Sequence, residues 1–311
     1  MSTVLKDTPQ ALPIGPQRLM AAGWIWLYQP DAASLQKLAA ELDVDEDFLF
    51  DILDPDENPR LQREDDHLLG ILPVPVRRDD DDGWLLRPLG FVLQGETLVT
   101  ISTVQWTFLH ELFATAGKDT ASAGAQRRNL LRIVQAITEI YEQALDDLVQ
   151  RMVRLEELLD STQSNDDMFR LLEVGKAALQ MHAALAGNVA VVFKLSRHRQ
   201  LAWEKDEKRR LNLLVADLQA VHERAEVLSR TMNSTMDAYG GMVQNNINHG
   251  LKVLTTLALV LYIPALLATL YGVNPPIPLQ DKPWIFWVIV IGSFSLSGLM
   301  AAVFRYRLRW I

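Results

Sequence analysis

The sequence predicts an α+β/membrane fold: an N-terminal α/β domain, then long helices, then two C-terminal transmembrane helices. Three observations carry this. Short apolar runs separated by turn residues fill the first third of the chain. From Gln126 onward the apolar residues change to a spacing near 3.5. Two runs near the C-terminus are almost free of charge: Leu251–Leu270 holds one charged residue, Lys252, and Trp284–Phe304 holds none. At about 1.5 Å per residue, each run is about 30 Å long, the thickness of a bilayer core.

Composition narrows the function classes. The 311 residues include no cysteine, which removes disulfide scaffolds, thiolate catalysis and cysteine-ligated zinc or iron–sulfur sites. A net charge of −9 argues against a nucleic-acid partner. The mean hydropathy of +0.04 is high for a chain with 22% charged residues, so a polar majority accompanies a very apolar minority. There is no phosphate-cradling glycine loop, no His-Glu-x-x-His and no Gly-x-Ser-x-Gly, so no enzyme is expected. No apolar run lies near residue 1, so no cleaved signal peptide is expected either.

Residues 1–117 read as a cytosolic α/β domain. Gly23–Tyr28 is a buried strand. Apolar residues at 35, 38, 39 and 42 have helical spacing. Asp45 is placed to cap a short helix through Leu53, with acids in its first turn. Leu68–Val76 is a strand that Pro73 and Pro75 restrict to an edge or a bulge. Asp79–Gly83 is a turn, followed by strand to Leu93. Gln94-Gly95-Glu96 turns tightly into Thr97–Ser102. A helix over Gln105–Ala116 and a small polar linker, Gly117–Ala125, end the domain.

Residues 118–250 read as a long-helix stalk. Apolar positions 130, 131, 134, 137, 141, 145, 148, 152, 155, 158 and 159 form one helical stripe. Ser161–Asp167 breaks that helix, and Ser164 or Asn165 can cap the next, which runs to about Arg199. A third helix starts near Glu204 and meets no proline before Pro264. From 204 to 270 it has 67 residues. At about 1.5 Å per residue it reaches about 100 Å, the length of a rod bundled with copies of itself. Gly240-Gly241 is either a kink or a point of close approach between such copies.

Residues 251–311 carry the two spans and a short outer loop, 271–283. Trp284 and Trp287 open the second span, and Tyr306 and Trp310 close it, as interfacial aromatics do. Lys252 precedes the first span; Arg305, Arg307 and Arg309 follow the second. In the loop Lys282 and Asp281 cancel. The positive-inside rule then places both termini in the cytoplasm.

After the first span stands Tyr271-Gly272-Val273-Asn274, then the loop, then the last span. This order resembles the CorA-type divalent-cation channels and their ZntB relatives, whose signature at this place is Gly-Met-Asn. Further likenesses are Lys252-Val253-Leu254-Thr255 at the span mouth, Asn248 before it, Pro264 in mid-span, the basic tail, and Leu53–Arg60 near the N-terminus. Val273 departs from the signature, and the loop has Asp281 as its one acid. The resemblance implies a homopentameric funnel in a bacterial-type inner membrane, with five first spans around a pore. It implies Gly272, Val273 and Asn274 as the ion-selectivity element.

The stripe Asn248, Leu251, Thr255, Ala258, Tyr262, Ala265 and Thr269 steps by three and four and so forms one helix face. Four of its seven residues are Thr or Ala. Such a stripe is either a helix–helix packing surface or a pore wall; the resemblance favours the pore. It contains no carboxylate, so a dehydrated divalent cation would lack compensating charge there. Cations are therefore expected to cross hydrated, which suits Mg2+ because it dehydrates reluctantly. Asn274 offers amide and carbonyl oxygens to the cation's inner waters, although Gly272 and Asn274 equally suit a helix end. Leu251 and Leu254 suit a hydrophobic gate that closes by dewetting. Lys252 and the terminal arginines form a basic collar.

The remaining features assign less. Residues 1–100 hold 19 acids and 8 bases, a net of −11. Asp54, Asp56, Asp65, Asp66 and Asp79–Asp82 are candidates for a regulatory cation, but turns and caps explain each, and no metal-ligating set is assigned. Histidines 67, 110, 182, 198, 222 and 249 include no i,i+4 pair. Only His249 lies near the stripe. No cofactor is expected; the divalent cation is cargo or regulator. The sequence thus points to a self-assembled inner-membrane channel for hydrated Mg2+, with Co2+ and Ni2+ as further cargo. The alternatives are a ZntB-like zinc transporter coupled to protons and a non-conducting scaffold.

Overall fold

The structure, a computed structural model, describes residues 17–21, 23–78, 83–116, 124–162, 165–272 and 282–306. The chain divides into two compact units, Met1–Asn233 and Ser234–Ile311. The first is built on a six-stranded mixed sheet: β1 (Gln17–Ala21), β2 (Trp24–Tyr28), β3 (Arg60–Glu64), β4 (His67–Arg77), β5 (Trp84–Gln94) and β6 (Thr97–Ser102). The strand order is β1-β2-β6-β5-β4-β3, and only β2–β6 is a parallel pair. β2 and β6 are central and buried on both faces, which is why Trp24–Tyr28 reads as an unbroken apolar run. On one side of the sheet the indoles of Trp24 and Trp26 donate to Thr100 Oγ1 and Ser102 Oγ, both at 2.9 Å, so neither buried N–H is left open.

Helices α1 (Ala32–Leu42) and α2 (Glu46–Asp51) cover one face of the sheet. The four apolar positions with helical spacing, Leu35, Leu38, Ala39 and Leu42, are those that α1 buries. Asp31 caps it by accepting from the Ser34 N–H at 2.8 Å. Asp45 caps α2 by accepting from the Asp47 N–H at 3.0 Å. The other face carries α3 (Thr107–Ala116), α4 (Ala125–Thr162) and α5 (Asn165–Arg197). Of the apolar stripe read for α4, most residues are buried; Met152 is half-buried and Leu158 is exposed. Gly187 of α5 is in contact with Pro59: a Cβ there would fall 2.0 Å from Pro59 Cγ, so this helix sits directly on the Leu53–Arg60 segment.

Two strands, β1 and β3, were not expected from sequence. Both are five-residue edge strands with few fully buried side chains, so their periodicity is faint. The expectation for β4 holds in its proline half, which has no strand beyond it, and is corrected for His67–Ile71, which lies between β3 and β5. β4 has 11 residues and is paired on one side with β5 over its whole length. The prolines are tolerated because β3 pairs only with His67–Ile71. Pro73 and Pro75 lie beyond it, where that side of the ladder asks for no N–H donor. The Pro73 carbonyl, left without a strand partner, accepts from Tyr141 Oη of α4 at 2.8 Å and from Asn188 Nδ2 of α5 at 3.0 Å. The turn at Gly95-Glu96 is as read, with Gly95 at φ +55°. Asp79–Asp82 and most of the linker lie outside the described residues.

α6 (Lys205–Tyr271) is one helix of 67 residues and supplies both units. It is unbroken at Gly240-Gly241, with open space beside both glycines. α7 (Trp284–Tyr306) follows. Among the described residues three helices are long and apolar enough to cross a membrane: α6, α7 and the Asp166–Arg197 part of α5. Sequence reading counted two. α5 is the exception because 44% of its most apolar window is buried within the protein, against 6% in α6 and 11% in α7.

Candidate functional site

Within the unit Ser234–Ile311, α6 and α7 pack through defined faces. On α6, Thr256 is buried, and Val260, Ile263, Pro264, Leu267 and Tyr271 are half-buried. On α7 the fully buried residues are Ser293 and Ser297. Small hydroxyl residues allow close approach of helices in an apolar medium, and here their hydroxyls are satisfied. Ser293 Oγ donates to Val290 O at 2.8 Å, and Thr256 Oγ1 to Lys252 O at 2.8 Å.

The third hydroxyl bond has a specific cause. Pro264 has no N–H, so the carbonyl four residues earlier, Val260 O, loses its helical donor. Ser297 Oγ of α7 donates to that carbonyl at 2.9 Å. An open carbonyl in hydrocarbon is costly, so α7 completes the helix that the proline interrupts. The open carbonyl at Val260 follows from sequence; its donor does not.

The stripe read from sequence lies elsewhere on α6. Asn248, Leu251, Thr255, Ala258, Tyr262, Ala265 and Thr269 are all exposed. At 3.6 residues per turn this stripe is roughly 160° around the helix from the face that meets α7. Leu254, also exposed, flanks the stripe, about 60° around the helix from Leu251. Thr269 Oγ1 donates to Ala265 O at 2.7 Å, which leaves its oxygen free to accept from the stripe side. Asn248 Oδ1 accepts from Gln244 Nε2 at 3.3 Å. Lys252 and Arg305 are exposed; Arg307 and Arg309 lie outside the described residues.

The helix end is partly described. Gly272 N–H donates to Ala268 O at 3.0 Å and Thr269 O at 3.2 Å, closing the last turn of α6. Val273, Asn274 and Asp281 lie outside the described residues. Of the acids weighed as regulators, Asp54 Oδ1 accepts from the Asp56 N–H at 3.0 Å within its own turn, and Asp65 occupies the tight β3–β4 turn at φ +47°. Among the described residues no three His, Asp or Glu side chains converge as a metal site. One histidine pair was invisible in sequence: His182 of α5 and His222 of α6 stack with ring centroids 4.7 Å apart. Their separation by 40 positions hides them from any i,i+4 search.

A unit built on a mixed sheet, joined by a 67-residue helix to an exposed apolar helical pair, defines a membrane protein of the ion-transporter class rather than an enzyme. Residues 21–306 match the family model described as "CorA-like Mg2+ transporter protein", and the chain belongs to that family. It is 24% identical over 292 residues to the cobalt/magnesium transport protein CorA of Methanocaldococcus jannaschii, covering 93% of this chain and 91% of that one. The complete structure of the CorA magnesium transporter from the same organism superposes with a TM-score of 0.75 at 23% identity, covering 91% of this chain and 90% of that one. The cytoplasmic domain of ZntB from Vibrio parahaemolyticus shares the fold with a TM-score of 0.56 at 10% identity, over 73% of this chain and 90% of that one.

Proposed function

We propose that five copies of this chain form a channel that passes hydrated divalent cations, Mg2+ first, then Co2+ and Ni2+, across an inner membrane. Both termini are cytoplasmic. Five α6 helices face the pore with Asn248, Leu251, Thr255, Ala258, Tyr262, Ala265 and Thr269. The support that weighs most is the side of α6 this stripe occupies: α7 packs on the opposite side and leaves the small, partly hydroxylated face exposed. Hydrated cations donate hydrogen bonds through their waters, so a wall of acceptor oxygens and small side chains suits them. Gly272, Val273 and Asn274 select at the outer end. Leu251 and Leu254 gate by excluding water. Lys252, Arg305, Arg307 and Arg309 hold the inner surface against lipid headgroups. The membrane potential drives entry, at about 2.3 kcal/mol per charge per 100 mV.

The test is flux into proteoliposomes with Mg2+, Co2+, Ni2+ and Zn2+ side by side. Asn274→Ala is expected to abolish Mg2+ uptake while the oligomer elutes unchanged; undiminished flux would remove the selectivity assignment. Zinc flux that follows an imposed pH gradient would instead support a proton-coupled zinc transporter. No cation flux of any kind would leave a scaffold.

A further inference from the structure

A cavity of about 610 Å³ opens in the unit Met1–Asn233 where α5 ends, a short 3-10 helix (Arg199–Leu201) follows and α6 begins. Its size is within the range of small-molecule sites, about 300–1,000 Å³. The surrounding segment, 194–210, holds 7 bases and 3 acids in a chain of net charge −9. The acids are turned elsewhere. Glu207 and Glu204 both face Arg127 of α4, at 2.8 and 3.6 Å, and Asp206 is about 160° around α6 from Lys208. Arg197, Arg199 and Lys208 line the cavity and, among the described residues, no acid does. None of the three has a carboxylate within ion-pair distance among the described residues. Gln200, the one residue of the segment whose side chain lies outside the described residues, is uncharged.

The site is built on fixed parts. The Arg197 guanidinium lies 4.4 Å from the centroid of the Phe193 ring, which sets its plane and leaves its N–H edge open. Trp203 is half-buried, and its Nε1 donates to Leu195 O at 3.0 Å. That bond ties the turn to the end of α5, and the Ala202 N–H closes on Arg199 O at 3.3 Å, with Ala202 at φ +40°. Arg63 of β3 adds to the positive field: after burial, it is the second cause that holds His198 of the lining below its ordinary pKa. Asn212, exposed on α6, lines the cavity with an amide that can both donate and accept. Guanidinium edges and an ammonium take phosphate oxygens, an indole takes a flat ring, and an amide takes the polar edge of that ring.

We propose that this cavity binds a soluble nucleotide, its phosphate on Arg197, Arg199 and Lys208 and its base against Trp203 and Asn212. The site lies wholly in the sheet-containing unit and does not depend on which cation is carried.

The experiment is calorimetric titration of the full-length protein in detergent, in magnesium-free buffer, with AMP, ribose 5-phosphate, adenosine and citrate. AMP is expected to bind saturably, one per chain, with a Kd of about 1 mM or tighter. Ribose 5-phosphate is expected to bind more weakly, and adenosine not at all. Added salt is expected to weaken AMP binding. Arg199→Glu and Lys208→Glu are each expected to weaken it about tenfold or more, the loss of one charge-assisted contact. Arg209→Glu makes the same change of net charge outside the cavity lining and is expected to leave the affinity within about threefold. All three residues are exposed, and unchanged melting without ligand confirms folding. No saturable AMP binding, full affinity in both cavity variants, or an equal loss in Arg209→Glu would overturn the site. Ribose 5-phosphate binding as tightly as AMP would overturn the base contact, and citrate binding more tightly than AMP would overturn a phosphate ligand.

Discussion

Helices α5, of 33 residues, and α7, of 23, are both long and apolar enough to span a bilayer, yet they serve opposite environments. The most apolar window of α5 has a mean hydropathy of 1.3, and Leu171, Val174, Met181, Leu185 and Val192 are buried against the sheet and its neighbouring helices. α7 reaches 2.0, and Phe286, Trp287, Ile291, Phe294 and Leu299 are all more than half exposed. Charge placement separates the two. α5 interleaves Arg170, Glu173, Lys176, Lys194 and Arg197 with its apolar residues, giving one wet and one dry face; α7 has no charge before Arg305. A helix with a wet face buries its dry side in protein, whereas one apolar all round needs lipid or a large core. Apolarity therefore marks a span only when it runs around the helix.

The sharpest way to break this comparison is to place a carboxylate in each helix. Val192 of α5 is 1% exposed. Val192→Asp puts an unpaired carboxylate in a closed core, an expected loss above about 4 kcal/mol and enough to unfold the unit. Phe294 of α7 is 65% exposed. Phe294→Asp is expected to leave the melting of the sheet-containing unit unchanged and to impair membrane insertion, by about 2.5–3.5 kcal/mol on insertion scales. Circular dichroism melts and carbonate extraction of membranes read the two effects. If Phe294→Asp unfolds the sheet-containing unit, α7 belongs to a protein core and the contrast fails.

A smaller effect tests how the α5 side is fastened. Tyr141 and Asn188 both donate to the Pro73 carbonyl, and Tyr141 Oη also lies 3.4 Å from Asn188 Nδ2. Burial pushes the Tyr141 phenol far above its ordinary range, so it stays a donor at any working pH. Tyr141→Phe is expected to cost about 1 kcal/mol and Asn188→Ala about 1–3 kcal/mol. Together they are expected to cost more than the sum, because the carbonyl then has no donor at all. Denaturant melts of the four proteins give the coupling; strict additivity would mean that the two donors act independently.

These cases show what was legible in the sequence. Elements with strong periodicity, such as α1, α4 and β2, could be read directly, and so could the extent of α6, because no proline intervenes before Pro264. The open side of β4 at its prolines could be read, but not that β3 covers its other half. Proline argues against an interior strand in general, and only the shortness of β3 leaves the proline half without a neighbour. The stripe on α6 could be read as a face, since 3.5-residue spacing fixes it, but which side α7 takes required the fold. The histidine pair and the double cap on Pro73 join residues far apart in sequence, where local patterns carry no signal.

The histidine pair predicts a direction with pH. His222 is held below its ordinary pKa by burial first and by His182 second, while Glu226 and Glu223 pull the other way. His198 is lowered too, by burial and then by Arg63. A histidine kept neutral in the native state binds fewer protons than the unfolded chain. Its stability contribution is complete above about pH 6.5, the ordinary histidine pKa, and declines as pH falls through that value. Melting temperature is expected to drop from pH 7.5 toward 5, and His222→Gln to flatten the drop. An equal slope in the variant would place the sensitivity elsewhere.

The smallest expected effect lies on the lipid side, in the bond from Ser297 to Val260 O. Ser297→Ala removes the one donor that α7 offers to the carbonyl Pro264 leaves open. Interhelical hydrogen bonds in membranes average about 0.6 kcal/mol and reach about 1.7, so a loss in that range is expected in a detergent denaturation series. Pro264→Ala restores an N–H that can donate to Val260 O within α6 itself. In that background Ser297→Ala is expected to be nearly neutral. A loss of equal size in both backgrounds would show that Ser297 stabilises α7 by packing alone. Dependence on the proline would show that α7 completes the backbone of α6, whereas Tyr141 of α4 and Asn188 of α5 cap a strand instead of a broken helix.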